Sequence, residues 1–132
     1  MNEDFRVWVD GRMLYTDDFP SDFELTFNRN AGWCVWQTMA SGKKILIGGK
    51  YGPQSVTLMR STGCSDSNNL TIYEGDYLKG TKIAVVRFVD ILASFDCYYG
   101  AGIEPLSCFI NYGHVEVIGN IYQKPKSVSL EV

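Results

Sequence analysis

Apolar and polar residues alternate with a period of two along most of the chain, the pattern of strands with one buried face. Phe5, Val7 and Val9 alternate with Arg6 and Trp8, Asp10-Gly11 supplies a tight hairpin turn, and Arg12 to Tyr15 returns. Phe23, Leu25 and Phe27 alternate with Asp22, Glu24 and Thr26, the cleanest half-buried strand of the sequence. Trp33 to Thr38 is apolar on both faces, as in a central strand or one covered by another element. Lys44 to Ile47 is a short apolar run closed by Gly48-Gly49, and Ser55 to Arg60 is strand-like. Thr62 to Leu78 then reads as a polar turn, a short strand, a Gly-Asp turn and another strand. Ser67-Asn68-Asn69 turns the chain, because asparagine tolerates the left-handed conformation. Lys82 to Val89 is a β-branched strand, and Ile91, Ala93, Phe95, Cys97 and Tyr99 give the next strand an apolar face. Pro105, Leu106, Phe109, Ile110 and Gly113 fit one short helix with its start and stop signals. Val115 to Tyr122 is the last strand, in which Gly119 marks a bulge, a bend or a close backbone approach, and Pro125 interrupts the polar tail.

Many short strands, turn signals and one helix in the C-terminal third predict an all-β fold. The preferred architecture is a small, partly open β-barrel capped by the helix, with a two-sheet sandwich as the alternative. A chain of 132 residues fits one domain spanning 1–132 and buries a core without disulfides or metals. Aromatic residues reach 14%, which favours strands. The net charge of −3 disfavours a general nucleic-acid binder, although Arg6, Arg12, Lys43, Lys44 and Lys50 cluster in the first half. No apolar run approaches the ~20 residues of a membrane-spanning helix. Met1-Asn2-Glu3-Asp4 is acidic and precedes no signal-peptide core, so the expected location is the cytoplasm, with no membrane partner. Cys34, Cys64, Cys97 and Cys108 form no CxxC pair and read as buried free thiols.

Candidate chemistry is sparse. His114, the one histidine, stands at a helix-to-strand turn beside no recognisable nucleophile, and its spacing from Cys108 matches no zinc motif. Gly48-Gly49-Lys50 lacks the Walker A frame and reads as a turn. Asp17, Asp18 and Asp22 read as a solvated loop without the ligand number that calcium needs. Glu74 and Asp76 flank Gly75, where a carboxylate can bond turn N–H groups; paired acid–base or metal work is the lesser reading. Neither a metal nor a cofactor is expected. Trp33 and Trp36 cannot share one face of a regular strand, nor can Tyr98 and Tyr99. These four aromatics are the candidate partner-binding residues.

The stretch from Thr62 to Leu78, TGCSDSNNLTIYEGDYL, resembles the signature of the YopX family of phage and prophage proteins, close to TGLKDKNGKEIYEGDIV. Glu116-Val117-Ile118-Gly119-Asn120-Ile121-Tyr122 resembles the family's EVIGNIY, and Phe5-Arg6-Val7-Trp8 with Met13-Leu14-Tyr15 resembles its N-terminal block. Cys64 replaces the family's leucine, and Lys124-Pro125-Lys126 replaces an acidic segment. The resemblance implies an all-β intracellular accessory protein of phage or prophage origin and carries no catalytic residue. Its signature positions Thr62, Gly63, Asp66, Ile72, Tyr73, Glu74, Gly75, Asp76, Ile118, Gly119 and Asn120 are of fold-building types. The function expected is therefore non-enzymatic binding of a host or phage protein, with homo-oligomers left open. Its alternatives are a nucleic-acid-binding barrel and a protein that sequesters a small ligand in counter-defence. A hydrolase using Glu74 and Asp76 is the weakest reading.

Overall fold

Asp10 and Gly11 both adopt positive φ, +50° and +74°, the combination that a two-residue primed turn requires. In the computed structural model, which describes residues 5–52 and 56–123, they join strand β1 (Phe5–Val9) to β2 (Arg12–Tyr15), with Val9 opposite Arg12. Strands make up 58% of the described residues and the one α-helix has five residues, so the fold is all-β with a short helix, as the alternation predicts. One of its sheets is curled into a half-barrel. The chain divides between Arg60 and Ser61 into two compact units.

In the first unit a second sheet runs β3 (Phe23–Asn28), β4 (Gly32–Thr38), β5 (Lys44–Gly49), all antiparallel, with β4 central. Cys34 and Val35, on opposite faces of β4, are both buried, in keeping with a strand apolar on both sides. The other edge of β1 pairs with the first half of β6 (Val56–Ser65), Val7 lying opposite Leu58. Val7, Val9, Val35 and Val56 form the core, and Phe19, Phe23, Leu25, Trp33 and Ile47 pack against it. Gly48 is where β5 approaches Val56: a Cβ there would lie 2.3 Å from the valine Cβ, so only a bare backbone fits.

In the second unit the end of β6 pairs with β7 (Thr71–Tyr73). A five-stranded antiparallel sheet takes the rest, built from β8 (Asp76–Lys79), β9 (Ile83–Val89), β10 (Ser94–Tyr99), β11 (Gly102–Pro105) and β12 (Glu116–Asn120) in the order β11-β10-β9-β8-β12. Helix α1 (Leu106–Ile110) follows Pro105 and buries Leu106 and Phe109 on a core of Ile72, Leu78, Val86, Cys97 and Val115. In β12, Val117 faces Leu78 and Gly119 faces Tyr77, so Ile118 is the extra residue of a β-bulge.

Five local readings are corrected. Thr62 to Ser65 continues β6, and the turn is confined to Asp66–Asn69, where Asn69 takes φ +66°. Gly48 and Gly49 belong to β5, because Val56 and Cys34 crowd them into strand pairing. Ile91 lies in the 3-10 turn Asp90–Leu92, exposed at 91%, so the apolar face of β10 begins only at Phe95. Phe27, expected inside, is 56% exposed near the end of its strand. Cys108 is exposed on α1 and Cys64 is half-buried, because helix and bulged strand each turn one side outward; Cys34 and Cys97 are buried, and all four thiols are free. The readings at Met1–Asp4, at Ser55 and in the tail around Pro125 lie outside the described residues. Among the described residues no helix is long and apolar enough to cross a membrane.

Candidate functional site

The polar signature residues close turns. Asp66 is buried, and its two carboxylate oxygens accept hydrogen bonds from the N–H groups of Asn68 (2.8 Å), Leu70 (2.9 Å) and Val117 (2.9 Å). One side chain thus shapes the β6–β7 turn and fastens it to β12. Burial by itself would raise the Asp66 carboxyl, but the three backbone donors and, more weakly, the His114 charge together hold it below its ordinary value. Asp76, 1% exposed, accepts from Tyr73 N–H at 2.8 Å and so closes the turn between β7 and β8. Gly75 in that turn has φ +89°, donates to Val86 O and accepts from Ile121 N–H, leaving no room for another conformation. Asn120 accepts from the N–H groups of Tyr122 and Gln123.

The remaining signature positions fit the same pattern. The Thr62 hydroxyl donates to Ile72 O at 2.7 Å, Gly63 has φ +78°, and Ile72 and Tyr73 are core residues. Glu74 is half-buried and Ile118 is the bulge residue before Gly119. Asp66, Asn120 and one carboxylate oxygen of Asp76 therefore serve backbone groups.

The four candidate aromatics are all half-buried, and the structure does not gather them. Tyr99 packs against Phe109 with Lys82 Nζ 4.1 Å from its ring centre, while Arg87 lies 5.8 Å from the Tyr98 ring. Trp36 donates from Nε1 to the Thr26 hydroxyl at 2.9 Å. Trp33, on the opposite face of β4, packs on the first unit's core and lines an open cleft of about 630 Å³.

The cleft has an apolar lining of Phe5, Phe27, Trp33 and Leu58, and a charged lining of Arg29, Lys50 and Arg60. The Phe5 and Phe27 ring centres are 5.0 Å apart. Backbone hydrogen bonds fix the chain at two of the cations, and Lys50 Nζ lies 5.4 Å from the Tyr51 ring centre. Asn28 Oδ1 accepts from Asn30 N–H and Ala31 N–H, shaping the β3–β4 turn that carries Arg29. Lys50 N–H donates to Trp33 O, and the lysine stem lies against Gly32, where an added Cβ would be 3.0 Å from Cδ. Every charged residue among the described lining is cationic, so the cleft favours an anion over an apolar partner.

Of the basic group seen in the sequence, Lys50 alone lies in this cleft. Arg6 is 3% exposed, hence no part of a surface patch, and Lys44 pairs with Glu24 at 2.9 Å. Arg29, Arg60, Phe5, Phe27 and Leu58 were missed, since the three segments that carry them are far apart in sequence and meet only in the folded chain. His114 pairs with Glu116 at 2.8 Å on the surface, and the histidine bond holds the Glu116 carboxyl below its ordinary value. Cys97, wholly buried, is pushed up to about 12 by burial, with Glu104 and Asp96 adding to the effect, which makes it inert.

The family model described as YopX protein matches residues 4–129. Among solved structures, the chain is similar to protein yopX from Bacillus subtilis, at 20% identity over 98% of this chain and 100% of that one, with a TM-score of 0.65. It is also similar to protein EF1440 from Enterococcus faecalis, at 22% identity over 93% of this chain and 95% of that one, with a TM-score of 0.58. At these identities the likeness to the two structures is one of fold. Comparison with curated proteins gives no match.

Proposed function

The chain belongs to the YopX family, and from that premise we propose that it is a non-enzymatic accessory protein of a phage or prophage. It acts in the bacterial cytoplasm by binding a component of the infected cell at the Trp33 cleft. The partner expected from the sequence is a host or phage protein. The observation that carries the reading is Trp33 itself, half-buried, packed on the core and lining the open cleft opposite a Phe27 that is 56% exposed. Rigid, half-exposed aromatics are the residues on which hot spots are built. Asp66 and Asp76 support binding over chemistry, because their carboxylates serve backbone N–H groups.

A second reading, recognition of an anionic ligand or nucleic acid, is favoured by Arg29, Lys50 and Arg60 in the same cleft. Capture from a phage-infected or lysogenic host, with wild-type protein and Trp33→Ala in parallel, tests the proposal. Folding of the variant is checked by circular dichroism. Trp33→Ala is expected to weaken capture by roughly thirtyfold, the ~2 kcal/mol of a hot spot. Capture that Trp33→Ala leaves unchanged overturns the site. An enzymatic activity abolished by Glu74→Gln with the fold preserved overturns the class.

A further inference from the structure

We infer, resting on the reading that the Trp33 cleft is the binding site, that its occupant is a free nucleoside polyphosphate. Four features of the cleft converge on that ligand class.

The first is the lining. Phe5, Phe27 and Trp33 offer planar apolar surface, on which any base can stack, since every base presents a π-face. The second is charge. Arg29, Lys50 and Arg60 reach the same cleft, and two of the three, Arg29 and Lys50, are exposed side chains. Guanidinium forks and an ammonium point charge suit phosphate oxygens, through charge-assisted hydrogen bonds. An apolar peptide would make no use of the cationic lining, and an inorganic anion would leave the rings unused.

The third feature is size. A cleft of about 630 Å³ lies within the range of small-molecule sites. The fourth distinguishes a free nucleotide from a nucleic-acid strand. The first unit has seven Lys and Arg against seven Asp and Glu, and the whole chain carries −3. Lys44, the exposed cation of β5, is engaged by Glu24. Three of the unit's seven cations thus meet at one cleft within a balanced unit, and a long strand gains limited counterion release beyond it. A di- or triphosphate needs only the cleft.

Phe27 is the exposed apolar ring of the cleft. A large ring near the end of an edge strand remains 56% exposed while packed at a tilt of 44° on Phe5, in the cleft that Arg29 also lines. Stacking with a base would cover it.

Isothermal titration calorimetry on the full chain provides the test. The probes are ATP, GTP, AMP, inorganic tripolyphosphate and a thymidine oligonucleotide of about ten residues, a length that a single-strand site covers. A nucleoside triphosphate is expected to bind one to one. AMP is expected to bind more weakly, having lost phosphate contacts, and tripolyphosphate roughly tenfold or more weakly, having no base to stack. Lys50→Glu and Arg29→Glu, both on the surface, are each expected to weaken the triphosphate by roughly tenfold or more with the melting temperature unchanged.

Several results would overturn the inference. Tripolyphosphate binding as tightly as the nucleotides reduces the site to a phosphate cradle. An oligonucleotide binding more tightly than every mononucleotide transfers it to a strand. Unchanged affinity in both charge-reversed variants moves the site elsewhere. If no nucleotide binds while Trp33-dependent capture of a host protein persists, the ligand class falls and the binding reading stands. If neither occurs, both fall.

Discussion

Asp66 gathers three backbone donors onto one carboxylate, and this accounts for an aspartate buried in the turn of an all-β fold. Asp66→Ala leaves those N–H groups without their acceptor and is expected to cost at least about 2 kcal/mol in denaturant titrations. The pH dependence has a definite sign. The folded carboxyl titrates below its ordinary value, so in the interval between the two values the unfolded chain binds more protons and stability rises with pH. The contribution is present above the ordinary aspartate value of about 3.9 and is lost as pH drops through the lower folded value. Thermal melts across the acid range are expected to show a shallower pH slope for Asp66→Ala than for the wild type. Gly75, buried at φ +89°, is the other residue with little tolerance: Gly75→Val is expected to destabilise by about 1–3 kcal/mol, and unchanged melts would refute the turn's requirement. The thiols divide by environment. In native protein Cys108 is expected to label fast, while Cys97 and Cys34 wait for unfolding, and a reducing agent leaves the melting temperature unchanged.

At the scale of elements, glycines and bulges set how the strands meet. Gly48 lets β5 lie against the start of β6, and Gly48→Ala is expected to cost about 1–3 kcal/mol by forcing Val56 aside. Val56→Ala in the same chain should recover part of that loss, and a double-mutant cycle showing no coupling would refute the close approach. The bulge at Ile118 works differently. It lets β12 keep Val117 opposite Leu78 and Asn120 opposite Asp76 with one extra residue between them. That register brings the Val117 N–H to Asp66 and puts Asn120 where it can close the Asn120–Gln123 turn. The two signature blocks, distant in sequence, are thereby joined through backbone hydrogen bonds.

For the molecule as a whole, charge and aromatic residues are unevenly shared. Counted from the sequence, Trp8, Trp33 and Trp36 all fall in the first unit, with its balanced charge, whereas the second unit has five Lys and Arg against eight Asp and Glu. Tryptophan emission therefore reports on the first unit and on its cleft. Each unit has its own apolar core, one around Val7, Val35 and Val56, the other around Leu78, Val86 and Cys97. Hydrogen exchange is expected to show slow amides in β1 and β4 and a second slow set in β8, β9 and β10. Protection confined to one of the two sets would refute two separate cores. The mixed charge also explains why net charge predicts little about the cleft, where the lining is cationic although the protein is acidic.

The all-β class, the Asp10-Gly11 hairpin, the helix after Pro105 and the irregularity at Gly119 were legible in the sequence. Each depends on local rules: alternation, φ restricted by residue type, and start and stop signals within a few positions. The turn-closing role of Asp76 was legible for the same reason, since its partner Tyr73 is three residues away. Tertiary structure alone decided what depends on distant partners. Gly48 reads as a turn until Val56 is seen against it, and Arg6 reads as a surface cation until its strand is found between β2 and β6. The cleft is the extreme case. Phe5, Arg29, Lys50 and Arg60 become neighbours through strand pairing across more than fifty positions, and no local pattern encodes that proximity.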